Sequence, residues 1–135
     1  MKTKKSLITL ITISIMIYLL SSCLEDAYTF DTFLVKIDSF QLPETMTAKT
    51  TFEVRFFGTV GNNGCISFEG FNQNLINKDI EIEAWGRYDN RNNTCPEVMV
   101  YLDKNLEITI PVAGVYNLKI KQPDKSYLER SITVK

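Results

Sequence analysis

Three cysteines, Cys23, Cys65 and Cys95, are the side chains of this sequence best suited to covalent chemistry. None has the usual activating partner, because the chain contains no histidine. That absence removes the commonest general base, the commonest metal ligand and every Ser-His or Cys-His nucleophile. No pair has the Cys-x-x-Cys spacing of a redox centre. Glu81 and Glu83, two apart on one strand face, come nearest to a carboxylate acid/base pair, but such residues ordinarily solubilise a surface. Asp89, Asn90, Asn92 and Asn93 offer oxygen ligands, yet only one is acidic and the spacing fits no EF-hand loop. A solvated turn is the better reading. The sequence implies no catalytic residue, no metal and no cofactor.

Binding chemistry is better represented. Trp85 is the only tryptophan, and strand parity turns it towards Glu81, Glu83 and Arg87, away from Ile80, Ile82 and Ala84. An outward indole among polar groups suits a carbohydrate or peptide, through apolar stacking and a few directed hydrogen bonds. Tyr88 and Asn90 are the further candidate contacts beside it. The competing reading is that the loop ending at Cys95 folds over this ring.

The position of these groups depends on the start of the chain. Lys2, Lys4 and Lys5 form a basic region, and no acidic residue precedes Glu25. Ser6 to Leu20 is almost wholly apolar, about 15 residues against the ~20 that span a bilayer. This is the pattern of a cleaved signal helix over 1–22. Leu20-Ser21-Ser22-Cys23 then resembles the lipobox of bacterial lipoproteins: an aliphatic residue, two small ones and the lipid-bearing cysteine. The resemblance covers residues 1–23 and implies a diacylglycerol thioether on Cys23, with a third acyl chain on its amine in many bacteria. Two or more chains suffice for stable attachment, at about 0.8 kcal/mol per buried CH₂. Leu24, where an aspartate would favour inner-membrane retention, leans by the same resemblance towards the outer membrane. Glu25-Asp26 is only weakly similar to the acidic tracts of surface-exposed lipoproteins, so both leaflets stay open.

Loss of 22 residues leaves 113 of the 135, enough for one domain with one core. Three lysines leave with the leader, so 12 basic residues face 16 acidic ones, a net charge of −4. An acidic surface argues against nucleic acid, whose binders present basic patches. Membrane contact would come from lipid, not charge. Export also places Cys65 and Cys95 in an oxidising compartment, where a disulfide is their natural state. Its loop of about 30 residues would contribute roughly 3–4 kcal/mol on the chain-entropy account.

Residues 23–32 read as a lipidated tether. From Phe33 to Lys135 apolar residues recur at period two, with turn residues every eight to twelve positions. Phe33–Ile37 and Phe52–Phe56 are strands, and Asn62-Asn63-Gly64 supplies positive-φ residues for a tight hairpin. Cys65–Phe71 is a shorter strand, and Asn72–Lys78 is polar enough for a loop. Ile80–Ala84 and Val98–Leu102 follow, with a turn at Asp103-Lys104-Asn105. Leu106–Val112, Tyr116–Ile120 and Leu128–Val134 close the series, Arg130 marking a bulge or an edge. The fold class is all-β: an immunoglobulin-like antiparallel β-sandwich of about seven or eight strands. Ala113-Gly114-Val115-Tyr116-Asn117-Leu118 resembles the tyrosine corner of such sandwiches, which implies a Tyr116 hydroxyl bonded to upstream backbone.

The favoured reading is a membrane-tethered, non-catalytic module that binds an envelope protein, peptide or glycan, or serves an envelope complex. A structural protein with homotypic contacts through the Arg130 edge is the alternative; an enzyme is the least supported. The leader generates a direct expectation. The wild-type protein incorporates labelled palmitate and sediments with membranes, whereas Cys23→Ser takes up no label and sediments poorly. Equal sedimentation of both forms would rule out the lipid anchor.

Overall fold

A segment that alternates Ile80, Ile82 and Ala84 with Glu81, Glu83 and Trp85 can bury only one of its faces. Two sheets are needed to cover such faces, and two sheets form. The computed structural model describes residues 31–89 and 94–135. The signal segment 1–22, Cys23, most of the tether and Asn90 therefore lie outside the described residues. Eight strands run in order: β1 (Asp31–Leu34), β2 (Lys36–Gln41), β3 (Thr51–Asn63), β4 (Ile66–Ile76), β5 (Asp79–Tyr88), β6 (Glu97–Thr109), β7 (Gly114–Lys121) and β8 (Tyr127–Val134). Among the described residues there is no helix.

The larger sheet joins β4, β5, β7 and β8, with β1 beside β5; the smaller has the order β2-β3-β6. β4 pairs with β5 along one edge, from Ile76↔Asp79 to Ile66↔Tyr88. The other edge of β5 is shared. β1 occupies its Trp85–Tyr88 end, antiparallel, and β7 its Asp79–Ile82 end. Counting β1 and β2 as one split strand, the smaller sheet has the A-B-E order of immunoglobulin-like sandwiches. The β5–β7 ladder departs from the expected antiparallel pattern, because it is parallel. Parallel neighbours need a long crossover. Here the chain leaves β5, passes through the facing sheet as β6 and returns as β7.

The sheets are stitched at Val35. Its amide donates to the Ala84 carbonyl at 2.8 Å in one sheet, and the next residue, Lys36, pairs with Thr59 in the other. Inward residues of β5 shrink from Ile80 and Ile82 to Ala84 and Gly86, all buried. A Cβ at Gly86 would lie 2.6 Å from the Phe33 ring, so only glycine admits that ring against the strand. A row of phenylalanines crosses the interior, Phe40 to Phe56 at 6.1 Å and Phe56 to Phe71 at 4.9 Å. Rings of this kind each bury about 150–250 Å² and supply much of a small core.

The flanks are closed by polar groups. Gln122, the buried polar side chain among the described residues, accepts the Ile37 amide at 3.1 Å. Gln73 reaches from β4 to the Glu107 carbonyl on β6 at 3.4 Å. Edge strands β6 and β8 each put an exposed cation on the core-facing parity. Lys104 stands opposite Phe56, and Arg130 lies 5.8 Å from the Phe40 ring.

Several local expectations are corrected. Asn72–Ile76 is strand, not loop, because β4 is an edge whose polar residues face water while its backbone pairs with β5. The turn comes at Asn77, with φ 58°. Asp103-Lys104-Asn105 does not turn: β6 continues through it. Arg55 forms a two-pronged ion pair with Asp103 (2.6 Å at each prong), and the Asn105 amide donates to Glu53 at 2.8 Å. Asn62-Asn63-Gly64 is not a positive-φ hairpin; β3 runs to Asn63, and the turn at Gly64-Cys65 leads into the other sheet. Asn63 accepts the Cys65 amide at 3.0 Å, a side-chain mimic of a backbone turn. β1 begins at Asp31, two residues before the expected domain start.

Two expectations hold. Cys65 and Cys95 are bonded, with Cα atoms 5.2 Å apart. The buried Tyr116 donates its hydroxyl to the Val112 carbonyl at 2.8 Å, completing the corner. Tyr116→Phe therefore loses one hydrogen bond and no ring packing. The expected cost is about 1 kcal/mol, read as a lower urea midpoint at unchanged slope; an unchanged midpoint would remove the bond from the stability account.

Candidate functional site

The outward face of the larger sheet carries the polar groups that its strands hold in register. β5 presents Asp79, Glu81, Glu83, Trp85 and Arg87, and β7 sets Asn117, Lys119 and Lys121 alongside. Asp79 accepts from Lys119 at 2.8 Å and from Asn117 at 3.1 Å. Glu83 accepts from Lys121 at 2.6 Å and from the Trp85 indole N–H at 3.2 Å. The Tyr127 hydroxyl donates to Glu81 at 3.2 Å. Glu81 and Glu83 thus have separate hydrogen-bond partners. The Lys121 ammonium, above all, holds the Glu83 carboxyl below its ordinary range; hydrogen bonds from Lys119 and then Asn117 do the same for Asp79.

Trp85 stands at the end of this ladder, half-buried, between Leu34 on β1 and Gly70 on β4. Its indole edge is fixed by Glu83, so the ring cannot rotate freely about its own strand. The register of β4 slips between Phe68 and Gly70, leaving Glu69 as the extra residue of a bulge. Glu69 reaches Arg87 at 3.3 Å. Gly70 lies opposite Trp85 with no atom within 4 Å of where a Cβ would stand. The result is a groove of about 350 Å³, lined by Thr32, Glu69, Gly70, Phe71, Asn72 and Trp85.

Comparison with protein-family models, with curated proteins and with solved structures finds no match to this chain. The site stands on its own geometry.

Of the residues expected to act together, Trp85 and Tyr88 are kept apart. Strand alternation sends Tyr88 to the other face, where its hydroxyl lies 3.6 Å from the Cys95 sulfur. Asn90 lies outside the described residues. Thr94 and Pro96 sit with Cys65 around a separate cavity of about 550 Å³ at the disulfide, and neither lines the Trp85 groove. Among the described residues no group of three potential metal ligands occurs. Sequence reasoning missed Glu69, Gly70 and Asn72. One signal was available: apolar residues at Ile66, Phe68 and then Phe71 break the period of two by one residue, which marks a bulge.

The ladder makes stability depend on acidity. A carboxyl whose value is lowered in the folded state stabilises above its ordinary range, and that contribution is lost as pH falls through the folded value. Thermal unfolding from about pH 7 down to about pH 3 should show a falling midpoint. A double Asp79→Asn, Glu83→Gln variant should show a shallower fall. Parallel curves for the two proteins would mean that these pairs contribute nothing.

Proposed function

We propose that this chain is a lipid-anchored, non-catalytic binding module of the bacterial envelope, presenting the Trp85 face of its larger sheet to a partner. The observation that carries the reading is Leu20-Ser21-Ser22-Cys23, preceded by a basic and an apolar segment. That arrangement exports a polypeptide and lipidates it, with outer-membrane attachment favoured by Leu24. The body is a small β-sandwich, a scaffold that displays sheet faces and end loops. On the Trp85 face Asp79 and Glu83 are engaged in ion pairs and Glu81 accepts from Tyr127, and the chain has no histidine to serve as a base.

Homotypic edge pairing is the weaker reading. Inward-pointing charges on edge strands oppose strand addition, and both Lys104 on β6 and Arg130 on β8 have that placement.

Site-specific cross-linking in the intact envelope tests the proposal. A photoreactive residue at Asn72, on the Trp85 face, is expected to yield a discrete adduct. The same group at Thr51, on the outward side of the smaller sheet, is expected to yield little. Equal labelling from both positions, or adducts only between copies of the chain, would overturn it.

A further inference from the structure

We infer that the groove beside Trp85 takes an uncharged sugar unit of an envelope glycan; this rests on the binding-module reading above and specifies its ligand. Electrostatics at the rim give the first reason. Glu69 faces Arg87 at 3.3 Å, and Glu83 faces Lys121 at 2.6 Å. Each acid at the groove has a basic counterpart, so the site offers little net attraction to an anion or a cation. A neutral ligand forfeits nothing there.

Shape gives the second. The indole is pinned by its N–H to Glu83, and directly across the strand pair Gly70 leaves open space where any other residue would place a side chain. An aromatic surface facing a gap is a platform for a flat, weakly apolar object. The C–H faces of a pyranose ring are of that kind. A volume of about 350 Å³ is near the lower end of the ~300–1,000 Å³ typical of small-ligand sites. One or two sugar rings suit it better than a folded partner.

Hydrogen-bonding groups give the third. The Thr32 hydroxyl, the Asn72 amide and the Glu69 carboxylate line the same groove. Together they place donors and acceptors at the groove wall, where sugar hydroxyls can meet them. A peptide would instead seek an unpaired strand edge for its backbone. The groove lies on the face of β5, whose backbone is paired on both sides at Trp85, by β1 and by β4.

Trp85 is the sole tryptophan, so tryptophan emission, excited selectively over that of the six tyrosines, reports on this groove. The full lipidated protein, held in detergent micelles, is titrated with neutral tetrasaccharides of glucose, mannose, galactose and N-acetylglucosamine. A tetragalacturonate and an uncharged octapeptide serve as the competing classes. The expected result is a saturable emission change with at least one neutral sugar, and at least tenfold weaker binding to the anionic one. A Cβ at Gly70 meets no atom within 4 Å, so Gly70→Val grows into open space, and Asn72→Ala alters an exposed side chain. Both should keep the wild-type melting curve, the first weakening the neutral sugar at least tenfold and the second several-fold. The inference is overturned if none of the neutral sugars binds, if the peptide or tetragalacturonate binds more tightly, or if Gly70→Val binds as wild type does. Such an outcome together with an Asn72 cross-link would sink the glycan and leave the binding module standing.

Discussion

The larger sheet depends on the backbone of one strand. β5 has ten residues, and three neighbours draw on its amides and carbonyls: β4 along one side, β1 and β7 dividing the other. Buried backbone groups must be paired, and β5 meets that requirement only because β1 leaves its edge near Ala84, before β7 pairs at Asp79–Ile82. The departure at Val35 follows from this limit. Once the chain has used its share of the edge, it crosses to the facing sheet and starts β2. The taper of inward residues from Ile80 to Gly86 obeys the same constraint, since the crossing chain needs room for Phe33 and Val35.

Much of this body was legible in alternation. Ile80, Ile82 and Ala84, or Tyr116, Leu118 and Ile120, bury every second side chain, and a single sequence displays that directly. Tyr116 was legible because its corner is local: ring and hydroxyl partner lie four residues apart. Composition misled where pairing decides. Asn72–Asn74 looks like loop because polar residues favour water, yet an edge strand may satisfy its backbone on one side and solvate its side chains on the other. Asp103-Lys104-Asn105 looks like a turn for the same reason, and partners about 50 residues away, Glu53 and Arg55, keep it extended. No local pattern contains that information. The parallel pairing of β5 with β7 is likewise invisible in sequence, since it depends on which strand a third one displaces.

The candidate groove divides along the same line. Trp85 was legible as outward by parity alone. Its surroundings were not, because Gly70 and Asn72 belong to a different strand brought opposite by register. Tyr88, three residues on, was grouped with Trp85 by proximity in sequence, whereas an odd offset along a strand places two side chains on opposite faces. It packs instead near the disulfide. The bulge at Glu69 both breaks the rhythm of β4 and brings a carboxylate to Arg87, so one inserted residue shapes one end of the groove.

Thr32 is both a residue of β1 and part of the groove wall, only nine positions after the acylated cysteine that the leader implies. Nine residues reach no farther than about 30 Å. On the proposed lipid anchor, an occupant of the groove would be held in a thin layer above the bilayer, on a short leash. On that proposal a pull on the occupant would reach the anchor through β1, which is joined to β5 by four residue pairs.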